Sequence, residues 1–88
     1  MKANEMEFNL KALANRRRLA IITFVKIKRE VTVGEIAEEI KLSFRSTSKH
    51  LGVLAAAGIL EKEQRSAQVY YSLGGNLSEP ARRIVALL

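Results

Sequence analysis

The sequence predicts a mainly α-helical domain carrying one small β-hairpin, in the order α-α-α-α-β-β-α, the arrangement called a winged helix-turn-helix. Three observations predict it. Thr32 to Gly58 reads as two short helices with room between them only for a turn at Lys41-Leu42. Ile59 to Leu73 then alternates in two short runs around a polar tip, the pattern of a hairpin. Finally, the outer face of the second helix of the pair is basic, and no carboxylate occurs between Glu39 and Glu61.

Taken in order, Asn4-Glu5-Met6-Glu7 has the spacing of a capped helix start with acids in the first turn. Met6, Leu10 and Leu13 follow as an apolar stripe, giving a first helix to about Leu13. Asn15 is placed to cap a second helix from Arg16 to about Lys28. There Leu19, Ile21, Ile22, Phe24, Val25 and Ile27 cover most of the circumference, which predicts a buried central helix. Arg16-Arg17-Arg18 at its start opposes the helix dipole. That run reads equally as a solvated charge cluster, or as a phosphate contact or buried ion pair, and in sequence it lies far from the basic face.

Glu30-Val31-Thr32 reads as an extended link. Thr32 and Glu35 have the capping-box spacing, and Val33, Ile36, Ala37 and Ile40 share one face of the third helix, with Glu35, Glu38 and Glu39 on the other. Ser43 is the N-cap of the fourth helix and Gly58 its left-handed stop. At about 100° per residue, Thr47, Ser48, Leu51, Leu54 and Ala55 point inward, Arg45, Ser46 and Lys49 outward, and His50 and Gly52 lie on the flanks. After the hairpin, whose polar tip is Gln64 to Gln68, Gly74-Gly75-Asn76 breaks the chain. Ser78 caps a last helix with Pro80 in its first turn, lined by Ala81, Ile84, Val85 and Leu88.

The 88 residues predict a single domain spanning 1–88, with a modest core that oligomerisation would help. A formal net charge of +6 favours a polyanionic partner. With no Cys there is neither a disulfide framework nor a thiolate metal site. One His and no Asp leave no base–nucleophile pair, so an enzyme is not expected. No apolar run approaches the ~18 residues of a membrane span, and MKANEMEF lacks the apolar centre of a signal peptide, so a cytoplasmic location without membrane contact is expected. The basic, acid-free face suits duplex DNA, which presents phosphates and base-edge acceptors to cations and hydroxyls.

Longer stretches resemble the arsenical-resistance-repressor (ArsR) family of winged-helix transcription regulators. Leu10-Lys11-Ala12-Leu13-Ala14-Asn15 through Arg18-Leu19 is similar to the family's opening LKALADPTRL, with Asn15 and Arg16 in place of Asp and Pro. Leu42-Ser43 through Ser48-Lys49-His50-Leu51, then Val53-Leu54, Ala57-Gly58 and Ile59-Leu60, is similar to its LS-x-x-x-x-S-x-HL-x-x-L-x-x-AG-L signature. Val69-Tyr70-Tyr71-Ser72-Leu73 is similar to the second wing strand.

The resemblance implies a homodimeric repressor that binds duplex DNA at a two-fold symmetric operator. The contacts it implies are Ser43, Phe44, Arg45, Ser46, Ser48, Lys49 and His50 on the fourth helix, with Arg65 and Gln68 from the hairpin reaching backbone or minor groove. It also places the dimer contact on the terminal helices, at Met6, Leu10, Leu13, Ile84, Val85 and Leu88.

Three departures from the family pattern bear on readout. Phe44 stands where a polar Gln is common, Gly52 where a cation is frequent, and Ser66-Ala67 replace the usual Gly-Arg of the wing tip. The family's metal sites do not carry over. Its Cys-x-Cys pair falls at Thr32 and Gly34, and Glu79 is the only ligand type on the last helix, so no metal or other cofactor is expected. Besides DNA binding, a protein-interaction module docking through the same helix remains open, with Phe44 as its main exposed anchor. RNA binding lacks the aromatic sheet platform it would need.

Overall fold

The computed structural model describes all residues, 1–88, as five helices and three strands: α1 Ala3–Leu13, α2 Arg16–Lys28, β1 Val31–Thr32, α3 Val33–Ile40, α4 Phe44–Ala56, β2 Leu60–Arg65, β3 Gln68–Leu73 and α5 Glu79–Leu87. The helix starts are set by short polar side chains. Asn15 Oδ1 accepts from the Arg17 and Arg18 N–H groups at 2.9 and 3.1 Å. Thr32 and Glu35 form the reciprocal capping box, the Thr32 hydroxyl accepting from Glu35 N–H at 3.3 Å and the Glu35 carboxylate from Thr32 N–H at 2.8 Å. Ser43 and Ser78 accept from Ser46 N–H and Ala81 N–H at 3.1 and 3.3 Å. At the end of α4, Gly58 sits at φ 73°, the Ile59 N–H donates to Leu54 O and the Gly58 N–H to Ala55 O. This double closure needs a residue without a Cβ penalty in the left-handed region.

α1 departs from expectation at its start. Its cap is Lys2, whose side chain makes no capping bond, and Asn4 lies inside the first turn with its Oδ1 on the Glu5 N–H. The stretch expected as a plain link also gains a role. Val31 and Thr32 pair antiparallel with Tyr71 and Tyr70, making a three-stranded sheet in the order β1-β3-β2. β2 and β3 pair from Leu60 with Leu73 to Arg65 with Gln68, so the strands run further than the alternation indicates and only Ser66-Ala67 is left as the tip. Ser66 takes φ 55°, the position glycine fills most cheaply in a two-residue hairpin turn. Gly74 is required for a different reason: a Cβ there would stand 2.3 Å from Gly58 O, where the chain passes under the end of α4.

Ile21, Ile22 and Val25 of α2, Ile36 of α3, Leu51 and Leu54 of α4, and Ile59 and Leu60 at the root of the hairpin form the centre of the core. α2 is central, as its apolar content predicts, but not on all sides: Ile27 is 70% exposed. Two polar links tie the terminal helices to the body. Ser78 Oγ donates to Asn9 Oδ1 at 2.9 Å, joining the start of α5 to α1. Lys26 Nζ donates to Val85 O at 3.0 Å, placing a cation on the C-terminal carbonyls of α5. No helix is long and apolar enough to cross a membrane.

Thr47 is fully buried on the inner face of α4, and its hydroxyl has no hydrogen-bond partner. A buried hydroxyl left without a partner costs more than a methyl of the same shape. Thr47→Val is therefore expected to stabilise the fold by about 1 kcal/mol, raising the thermal midpoint by roughly 4–8 °C for a domain of this size. A lower midpoint for the Val variant would show that the hydroxyl is satisfied in solution.

Candidate nucleic-acid interface

α4 is held by its inner face, through Thr47, Leu51 and Leu54, and this leaves its first two turns facing solvent. Arg45 and Lys49, one turn apart, are both exposed, and neither has a carboxylate within ion-pair distance. Ser43 is exposed, its oxygen engaged as the cap, which leaves its proton free to donate outward. Ser46 and Ser48 are half-buried on the two sides of the helix. Helical geometry alone points Ser46 out and Ser48 in; both lie at the boundary instead. Together Ser43, Arg45, Ser46, Ser48 and Lys49 form one continuous strip of donors with no acid among them.

The two flanks of α4 differ. On one side the hairpin approaches, and Phe44, 63% exposed, lines a shallow groove of about 450 Å³ with Thr32, Val33, Gly34, Ala67, Gln68 and Val69. On the other side α2 approaches with its N-terminus. Arg18 Nη1 donates to His50 Nδ1 at 3.2 Å, while the same guanidinium donates from Nη2 to Lys11 O at 3.0 Å and from Nε to Ala12 O. The arginine cluster, remote from α4 in sequence, thus reaches the flank of that helix through Arg18. Arg18 is half-buried and in no ion pair. It caps the C-terminal carbonyls of α1 and ties them to α4.

Since a guanidinium only donates, His50 Nδ1 must carry the lone pair and Nε2 the proton. Burial, and then the charges of Arg18 and Arg17, hold the His50 pKa below its ordinary value of 6.5. The unfolded chain therefore takes up a proton that the folded one refuses, and His50 withdraws stability as the pH falls below 6.5. At neutral pH it offers one neutral N–H donor on the flank of α4.

The hairpin corrects a second expectation. Arg65 is not a free cation at the tip. Its Nη1 and Nη2 bond both oxygens of Glu30 at 2.8 and 2.6 Å, it also bonds Glu63, and it stacks 4.8 Å from the centre of the Tyr70 ring. The hydrogen bond from Arg65 holds the Glu30 carboxyl below the usual carboxylate range, and Glu30 and Glu63 raise the Arg65 pKa in return. Gln68, paired with Arg65 across the hairpin, is exposed.

The residues expected at a dimer contact divide. Met6, Leu10 and Leu88 are exposed, whereas Leu13 and Val85 are buried in the protomer's own core and Ile84 is half-buried against it. The stripes of α1 and α5 meet each other before they meet anything else, which draws these three inward. Phe8 and Leu87, at 54% and 85% exposed, are apolar residues outside the expected stripes.

A three-helix core with α4 presented outward and a hairpin at its side is a winged helix-turn-helix. Comparison with known proteins agrees. The family profile described as "Helix-turn-helix domain" matches residues 13–63. The transcriptional activator HlyU of Vibrio cholerae is 35% identical over 83% of this chain and 73% of its own length. The biofilm growth-associated repressor of Xylella fastidiosa is 33% identical over 82% of this chain and 62% of its own. The structure of reduced HlyU superposes with a TM-score of 0.82 at 30% identity, covering 98% of this chain and 86% of that one. A domain from Mycobacterium bovis, solved as a homodimer and described as possibly of the ArsR family, superposes at 0.80 with 28% identity over 96% of this chain and 74% of that one.

The chain belongs to the helix-turn-helix family and, within it, to the ArsR-type winged-helix transcriptional regulators. Its relatives are regulators, not enzymes. The family's metal positions do not fit a metal here: the Thr32 hydroxyl is spent in the capping box, Gly34 has no side chain, and Glu79 is paired with Arg83 at 2.7 Å.

Proposed function

We propose that the protein binds duplex DNA as a homodimer, laying α4 of each protomer into the major groove of a two-fold symmetric operator, and that it represses transcription by occupying that site. The observation that carries this reading is the pair Arg45 and Lys49, exposed one turn apart on the outer face of α4, with no carboxylate within ion-pair distance and no acid on that face. An α-helix fits the major groove, and an arginine there can pair bidentately with guanine O6 and N7. Pairing of protomers through α1 and α5 is supported by the exposed apolar set Met6, Phe8, Leu10, Leu87 and Leu88 and by the homodimeric state of the Mycobacterium relative.

The test is selection of bound duplexes from a random pool. Enrichment of a motif with two-fold symmetry is expected. A pool that stays random after repeated rounds would remove sequence-specific binding from the reading. With the selected duplex in hand, added zinc, cadmium or arsenite at low micromolar concentration is expected to leave the affinity unchanged, since no N/S donor set exists to bind them. Release of the DNA by zinc would overturn that expectation.

One observation favours a second reading. Phe44 exposes an aromatic ring beside an open groove, as a protein-docking anchor does. Selection separates the two, because a docking module enriches no duplex.

A further inference from the structure

A helix seated in the major groove runs between two sugar–phosphate strands, one along each flank. The wing flank of α4 offers one unpaired cation, Lys62, because Arg65 is bonded to the carboxylates of Glu30 and Glu63. The opposite flank carries an open cleft of about 460 Å³ between the N-terminus of α2 and the C-terminus of α3, lined by Arg16, Arg17, Ala20, Glu39, Ile40 and Lys41.

The three cations of this cleft are in no ion pair. Two backbone N–H groups at the start of α2 are already taken by Asn15, so an anion arriving here would be met by side chains. Lys41 stands at the turn that leads directly into α4, and Arg17 is close enough to His50 on α4 to depress its protonation.

We propose that Arg16, Arg17 and Lys41 grip the phosphodiester backbone along the flank of α4 opposite the wing, and that this cleft, in place of the hairpin, supplies most of the sequence-independent charge contact. The proposal rests on the reading of α4 as a duplex-binding helix. Arg45 and Lys49 read the floor of the groove while the cleft holds one wall. Glu39, the single acid in the cleft, opposes the phosphate and sets a limit on how tightly the cleft holds it.

The experiment uses the full chain and the duplex recovered by selection, titrated at several salt concentrations. Arg16→Gln, Arg17→Gln and Lys41→Gln together replace exposed or half-exposed side chains with an uncharged one and leave the core untouched, so an unchanged thermal midpoint serves as the folding control. Removing one phosphate contact lowers the slope of log K against log salt by about 0.9. The triple variant is expected to lose roughly 2–3 in slope per protomer, weakening all duplex sequences by a similar factor. Arg65→Gln is expected to change the slope by less than half as much, because Arg65 must leave two carboxylates to reach DNA. Glu39→Gln is expected to tighten binding to every sequence.

A triple variant that keeps the wild-type slope, while wild type binds the duplex normally, overturns the cleft alone. A wild type that binds no duplex overturns the cleft and the functional reading together. Inorganic phosphate, titrated while amide shifts are followed, separates a backbone clamp from a free-anion site. Saturation at Arg16, Arg17 and Lys41 well below millimolar phosphate would assign the cleft to a small anion and overturn the proposal.

Discussion

Met6→Glu with Leu10→Glu is expected to leave the protein monomeric in sedimentation at tens of micromolar and to lower its affinity for a two-fold symmetric duplex by about 10²–10⁴-fold. Met6 and Leu10 stand one helical turn apart on α1, both exposed, so two carboxylates there burden an interface without entering the protomer's core. The choice of residues follows from the structure. Leu13 and Val85, also on the terminal stripes, are internal, and acids there would unfold the domain before testing its assembly. The size of the loss follows from linkage. A dimer engages its second half-site within one complex, so the second contact forms at an effective concentration that a monomer cannot reach. Circular dichroism of the double variant should match wild type. A wild type that sediments as a monomer at these concentrations would place the exposed apolar set outside any dimer contact.

Arg45→Ala is expected to cost about 1–3 kcal/mol per half-site on the selected operator and to relax base preference at one symmetric position. Arg45 lies in the first turn of α4, is exposed, and has no carboxylate to leave. The competing outcome is a backbone contact, since most protein–DNA hydrogen bonds go to phosphate and sugar. Titrations on the operator and on a scrambled duplex decide between them. An equal fractional loss on both duplexes would move Arg45 to the backbone contacts, alongside the cleft on the far side of α4. The cleft variants serve as the reference, since their loss should be equal on both duplexes.

Features set by residues close together in the chain are legible in the sequence itself. Asn15, Thr32 with Glu35, Ser43, Ser78 and Gly58 mark the helix ends that their residue types imply, because a cap is a contract between residues two to four apart. Legibility ends where the partner is distant. Val31 and Thr32 are too short a run to show strand periodicity, and only Tyr70 and Tyr71, folded back alongside, make them a strand. Asn9 reads as one more polar residue of an amphipathic helix until Ser78, far along the chain, arrives to bond it.

The candidate interface divides in the same way. The outward strip of α4 follows from helical geometry alone, so the sequence suffices to find Arg45 and Lys49. It does not suffice for the state of Arg65, because Glu30 lies 35 residues away and its approach depends on how β1 joins the sheet. Nor does it place Arg16 and Arg17 beside α4, which depends on the packing of α2 across α3. One signal exists for the wing: Glu61 and Glu63 stand beside Lys62 and Arg65 along one short strand, and two acids so close to the two cations argue against a strongly cationic hairpin.

The three bonds of Arg18 have a consequence of scale. One rigid, planar group grips the end of α1 and the second turn of α4 together. Where protomers pair through their terminal helices, that guanidinium is a strut between the hinge of the pair and each of its reading heads. Two such heads must land about 34 Å apart, one turn of the double helix, to meet equivalent bases. A small rotation at the hinge is magnified at the far end of the strut, so the pitch between the heads is only as well defined as this joint. In such a pair Arg18 would set the gauge of the track on which the two heads run, without itself touching a base.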